Sequence, residues 1–202
     1  MLRHSLLKPF VAVAFIALAA CSSDEQTQEK AQTNWSVVKS QSEIKFSSTK
    51  NGDIKEEHSF ANFEGDISSH GEVIVTIDLS SVDTNIEIRD ERLQKHVFNT
   101  EQTPNAVINA DIDPELLTTK KETTTSVNGT LTLVGKTSEF QANLVVAPSK
   151  NNLVVKTQQP IMLSVKDLGI KQGIDKLQEI AGLQSISDEV PVTLSLTIKP
   201  KK

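Results

Sequence analysis

Cysteine occurs once in the 202 residues, as Cys21, so no internal disulfide can staple the fold. Histidine is nearly as sparse. Beyond His4 there are only His58, His70 and His96, with no His-x3-His pair, so no zinc-type ligand set and no metal site is expected. No Gly-x-Ser-x-Gly elbow is present. A hydrolase needs a nucleophile, a base and an orienting acid, and three scattered histidines do not outline them. The expectation is surface histidines, with His58-Ser59 in a loop before a strand and His96 on a helix, and a chain that is not an enzyme. Basic residues number 21, two of them in the first ten positions, against 26 acidic ones. No basic patch stands out, which excludes nucleic acid as an expected partner. Internal repeats are lacking, and only residues 118–125 are compositionally biased, read as an exposed hairpin tip or loop.

Long apolar runs are also lacking, apart from one near the start. Arg3 and Lys8 precede an uncharged apolar stretch over residues 10–20, shorter than the about 20 residues that cross a bilayer. That layout reads as a secretory signal peptide. Leu18-Ala19-Ala20-Cys21 resembles the lipobox at which bacterial lipoproteins are cut and diacylated, which makes Cys21 the expected lipidation site. Two or three acyl chains anchor durably where one does not. Ser22 follows the cysteine in place of the Asp that marks inner-membrane retention, so a periplasmic protein anchored to the outer membrane is expected. Residues 21–34 are polar and read as a flexible tether. The expected organisation is a signal peptide over 1–20, the lipidated cysteine and tether over 21–34, and one domain over 35–202.

The domain alternates with period two. Val73, Val75, Ile77 and Leu79 share one face, as do Phe140, Ala142, Leu144 and Val146, and Val190, Val192, Leu194, Leu196 and Ile198. These are strands with one apolar and one wet face. Shorter strands are expected around Trp35, Ser42 to Phe46, Ala106 to Ile112, Ser126 to Leu133, Leu153 to Thr157 and Ile161 to Val165, with Asn151-Asn152, Gly129 and Gly135 as turns or bulges. About eight strands imply an all-β sandwich or closed barrel, and periodicity alone does not choose. Two segments break the pattern. Thr84-x-x-Glu87 has capping-box spacing ahead of Ile86, Leu93 and Val97 on one helical face. Ile174, Leu177, Ile180 and Ala181 repeat at helical spacing before Gly182, which can end the helix in a left-handed conformation.

Ser81-Val82-Asp83-Thr84, then Arg89-Asp90, Leu93 and Val97-Phe98, resemble a strand end and helix of the YceI-like proteins, the polyisoprenoid-binding periplasmic barrels. Phe60-Ala61-Asn62-Phe63-Glu64-Gly65, residues 127–137 and Asp167-Leu168-Gly169-Ile170 are similar to further motifs of that family, in the same order, from about Trp35 to Ile198. The resemblance implies a single antiparallel eight-stranded lipocalin-like barrel with one or two short helices. It also implies non-catalytic binding of an isoprenoid lipid, of quinone or polyprenyl type, with no other cofactor.

Phe60, Phe63, Val75, Ile77, Arg89, Phe98, Leu144 and Leu194 are the candidate ligand contacts, the phenylalanines standing between pore wall and packing. Arg89-Asp90 either orients a head group at the barrel mouth or, the favoured reading, holds the helix start. Adjacent helix residues are not expected to face the same way. The family's His-Ser near the first strand is here Gln41-Ser42, and its Arg before Asp-Phe-Gly-Ile is missing around Val165-Lys166. If relatives use those groups on a head group, this chain is expected to hold a different one or none. The alternative reading is a structural or protein-interaction lipoprotein whose barrel is filled by its own side chains. Oligomeric state stays open, a homodimer included.

Overall fold

The structure, a computed structural model, describes residues 34–201. The expected leader, Cys21 and the tether as far as residue 33 lie outside the described residues.

Strands dominate, and several are halves of one bent strand. β1 (Trp35–Val37) and β2 (Glu43–Lys50) are separated by a 3-10 turn over Lys39–Gln41, and β3 (Ile54–Phe60) and β4 (Phe63–Ile67) by a break at Ala61-Asn62. β5 (Glu72–Asp78) and β6 (Val82–Asp83) are separated by a 3-10 turn over Leu79–Ser81. β7 (Asn105–Asp111), β8 (Thr123–Leu133) and β9 (Lys136–Ser149) follow, then β10 (Asn152–Thr157), β11 (Ile161–Ser164) and β12 (Glu189–Pro200). All pairings are antiparallel. β12 pairs β10 and β11 along one side and β1 and β2 along the other, with Ile198 opposite both Leu153 and Val37. That seam closes the sheet into an eight-stranded barrel, which decides for the barrel against the sandwich. Closure pairs the long strands on both sides, and among the described residues only the short β6 and β11 keep a single partner each.

The two ends of the described residues lie together, where Trp35 pairs with Pro200 and Ile67. A 3-10 turn at Pro114–Thr118 brings Leu117 into a cluster with Ile67, Val146, Leu153 and Ile198, against which Trp35 packs. This end is plugged. The opposite end carries the helices: α1 (Glu87–Arg92), continued by a π turn over Leu93–Phe98, and α2 (Lys171–Ala181). Leu93, Val97, Phe98 and Ile174 pack from them into the main core. A Cβ on Gly173 would stand 2.3 Å from the His96 carbonyl oxygen, so α2 lies directly on the π turn there.

Several expectations need correction. Thr84 does not form a capping box with Glu87: the α1 N-cap is Ile86, which has no side-chain cap bond, and the Thr84 hydroxyl goes to Asp90. The wide π turn replaces the second half of the expected α-helix. Thr123 to Thr125 are not loop but the start of β8, paired with Leu144 to Val146. Gly129 makes no turn; it sits mid-strand opposite Phe140, whose ring occupies the space a Cβ would need, 2.7 Å away. The β8–β9 turn is Val134-Gly135, both at positive φ, the geometry that matches strand twist in a two-residue hairpin. Gly182 ends α2 at φ 61, as its position directly after Ala181 implies.

Candidate functional site

Alternation along the strands sends one apolar row inward. Val190, Val192, Leu194, Leu196 and Ile198 of β12 all border a cavity of about 480 Å3, within the range of about 300–1,000 Å3 usual for small-molecule sites. Eight residue steps along β12 span about 27 Å at about 3.4 Å per residue, so the lining runs much of the barrel's length. From the plugged end Ile67, Leu117 and Leu153 border the cavity; from the helical end Lys50, Ile86, Ile88, Arg89, Leu183 and Ile186 do. Ile86 and Ile88 are 46% and 51% exposed while also lining it. They form an apolar rim where α1 meets solvent.

Of the sequence candidates, Phe60, Val75, Ile77, Arg89, Phe98, Leu144 and Leu194 border the cavity. Phe63 does not. It is buried in the same core opposite Ile77, but Gly65 two residues on lets Val37 close over that stretch of wall, with a would-be Cβ 2.7 Å from Val37 Cγ2. Phe63 is therefore packing, not pore wall.

Polar groups gather at the helical end. Glu56 Oε2 accepts from Arg89 at 2.7 Å and Lys50 at 2.6 Å. Arg89 also donates through Nε to Thr84 Oγ1 and through its other terminal nitrogen to the Thr84 carbonyl, at 2.8 and 2.7 Å. The buried Thr84 in turn donates its hydroxyl and backbone N–H to one Asp90 oxygen, at 2.6 and 2.9 Å. Contrary to the helical-spacing argument, Arg89 and Asp90 converge on one residue, because Thr84 lies ahead of α1 rather than on its face. The Lys50 ammonium, ahead of the Arg89 guanidinium, holds the Glu56 carboxyl below the usual carboxylate range.

His58 is the residue that sequence reasoning misplaced. It lies in β3, not a loop, and is 5% exposed, not on the surface. It borders the cavity with Nε2 2.9 Å from Ser48 Oγ, and its ring is 5.1 Å from Phe46. Burial, and then the Arg89 guanidinium, pushes it below the usual histidine range, so it is neutral near pH 7. Only once residues 54–60 are known to be a strand does period two place it: Glu56, His58 and Phe60 are alternate residues of β3 and face one way. Ser48 and His58 have the spacing of a nucleophile and base, but Nδ1 meets no carboxylate among the described residues, and a triad needs that orienting acid. Among the described residues no group of three or more His, Cys, Asp or Glu is placed to hold a metal ion.

The family model for the YceI-like domain matches residues 35–198. The chain belongs to the YceI-like family. Among solved structures it is similar to a polyisoprenoid binding domain from Saccharophagus degradans implicated in plant cell wall breakdown, at 29% identity and TM-score 0.79 over 83% of this chain and 98% of that one. It is also similar to Burkholderia cenocepacia BcnA, at 20% identity and TM-score 0.64 over 80% and 98%. A third likeness is to the Campylobacter jejuni YCEI protein, at 17% identity and TM-score 0.53 over 72% and 84%. Comparison with curated proteins finds no match. At the YceI-like positions where this chain departs, neither pair borders the cavity. Ser42 Oγ accepts from Thr197 N at 2.9 Å and stitches the bent β1–β2 strand to β12, and Lys166 pairs with Asp188 at 3.3 Å.

Proposed function

We propose that this YceI-like chain is a non-catalytic carrier or reservoir that holds a long isoprenoid lipid, of quinone or polyprenyl type, in its barrel. The carrying observation is the elongated apolar cavity, plugged at one end and rimmed by exposed isoleucines at the other. The polyisoprenoid-binding domain from Saccharophagus degradans, with the same fold, supports the same ligand class. A five-carbon isoprene unit moved from water contributes at most about 4 kcal/mol at about 0.8 per carbon group. A few enclosed units thus support about micromolar binding after ordering costs. The alternative of a barrel filled by its own side chains is disfavoured by the cavity itself.

The lipobox-like sequence supports a periplasmic lipoprotein, tethered through Cys21 and residues 22–34 to the outer membrane, with the domain beginning at about Trp35. Two measurements test this reading. Organic extraction and mass spectrometry of the full-length protein from a bacterial host should yield a stoichiometric isoprenoid; an empty barrel that binds no isoprenoid probe would sink it. Metabolic labelling with a palmitate analogue should mark the protein and be lost in Cys21→Ser. Labelling that persists would reject the anchor while leaving the cavity reading intact.

A further inference from the structure

Resting on the lipid-binding reading, we propose that Nδ1 of His58 is the polar anchor for the ligand's head group, and that this head group presents an uncharged oxygen, a carbonyl or a hydroxyl. Three observations carry the inference. His58 borders the cavity and is buried, and its Nδ1 has no hydrogen-bond partner among the described residues. A buried polar nitrogen without a partner is costly enough that native folds rarely leave one. A ligand oxygen in the cavity supplies that partner. Because Ser48 Oγ can donate to Nε2 or accept from it, Nδ1 either carries the ring proton and donates to a carbonyl, or is bare and accepts from a hydroxyl.

The second observation is the charge around it. Lys50 and Arg89 are taken up by Glu56, and Arg89 also by Thr84, which holds Asp90. Two cations thus face two carboxylates, and the group offers no net positive charge to a phosphate. Arg92, which borders the cavity on α1, has no carboxylate within 4.0 Å among the described residues and is the site a charged head group would use instead. The third is shape. His58, Phe46, Phe60 and Phe98 form a row of rings with successive centroids 5.1, 5.3 and 6.0 Å apart, a wall for a flat or slender head group leading into the aliphatic barrel.

The test uses the delipidated full-length chain, His58→Phe, and Ser48→Ala, with four probes of matched tail length: an isoprenoid quinone, a polyprenol, a polyprenyl phosphate and the head-less polyene. For the native chain we expect the quinone or the polyprenol to bind about tenfold tighter than the polyene. In His58→Phe that preference should vanish while polyene affinity stays within about twofold. Ser48→Ala, which leaves Nδ1 in place, should retain most of the preference. Nitrogen NMR of the native chain should show the His58 Nδ1 resonance moving on addition of the preferred head-bearing probe and not of the polyene, a readout that does not depend on any variant folding. The quinone and polyprenol arms separate carbonyl from hydroxyl. Equal affinity for polyene and both uncharged probes overturns the head-group inference and leaves lipid binding standing. Tightest binding of the phosphate overturns it in favour of Arg92. Failure of all four probes removes both readings.

Discussion

His58 illustrates how much a single buried side chain can decide. Its folded pKa lies below the ordinary value of about 6.5, so below that pH the unfolded chain binds the extra proton. His58 therefore contributes stability that is present above about pH 6.5 and is lost as pH falls from there toward the folded value. Melting temperature measured between pH 7.5 and 5.5 should decline in the native protein and decline less in His58→Phe. Equal slopes would show that the imidazole is not held neutral. Glu56 acts in a lower window: its depressed pKa places the loss of its ion pairs below the usual carboxylate range. Thr84 is the other decisive residue, since its hydroxyl accepts from Arg89 and donates to Asp90. Thr84→Val should cost about 1–3 kcal/mol in denaturant unfolding by leaving two charged partners short of a bond. Neither role was legible in the sequence. A histidine between Glu57 and Ser59 looks like a loop residue until its neighbours are known to be a strand, and the Thr84–Asp90 bond crosses from strand end to helix, which no local capping rule describes.

Among the elements, the strands were the most legible part of the fold. Rows such as Val73 to Leu79 and Val190 to Ile198 face the cavity because strict alternation admits only one inward set. What alternation could not reveal is where strands bend. The turn at Lys39–Gln41 is held by Ser42 and Thr197, residues 155 apart in sequence. The π turn at Leu93–Phe98 was hidden for a similar reason, since it is fixed by α2 lying on it through Gly173. Gly173→Ala should force those segments apart and destabilise the protein by about 1–3 kcal/mol, read as a lower melting temperature and faster release of bound lipid. The exposed pair on α1 is open to a gentler test. Ile88→Asp places a charge on the apolar rim without touching the core. Transfer of a fluorescent isoprenoid from vesicles should slow several-fold while the melting temperature stays within about 2 °C. Unchanged transfer would move the entry route elsewhere.

Taken whole, the domain over the described residues is a ring whose seam joins its first and last strands, so closure pairs residues about as far apart in sequence as the domain allows. Contacts of that separation are slow to form. A ligand that binds only the closed ring should stabilise it in proportion to its occupancy. A calorimetric scan should show the extracted protein melting below its lipid-loaded form, and the difference should grow with probe concentration. Barrel closure was beyond the reach of periodicity, which left sandwich and barrel equal; motif order tipped the choice, and the β1–β12 pairing settled it. That seam also fixes the molecule's polarity. The backbone N–H of Lys201 donates to the Asn34 carbonyl, so the chain enters and leaves side by side at the plugged end, and the rim of Ile86 and Ile88 belongs to the other. Any attachment made through the start of the domain holds it by its base. A graft to a bead, a chip or another protein made at Asn34 or Lys201 would therefore leave the cavity's mouth clear.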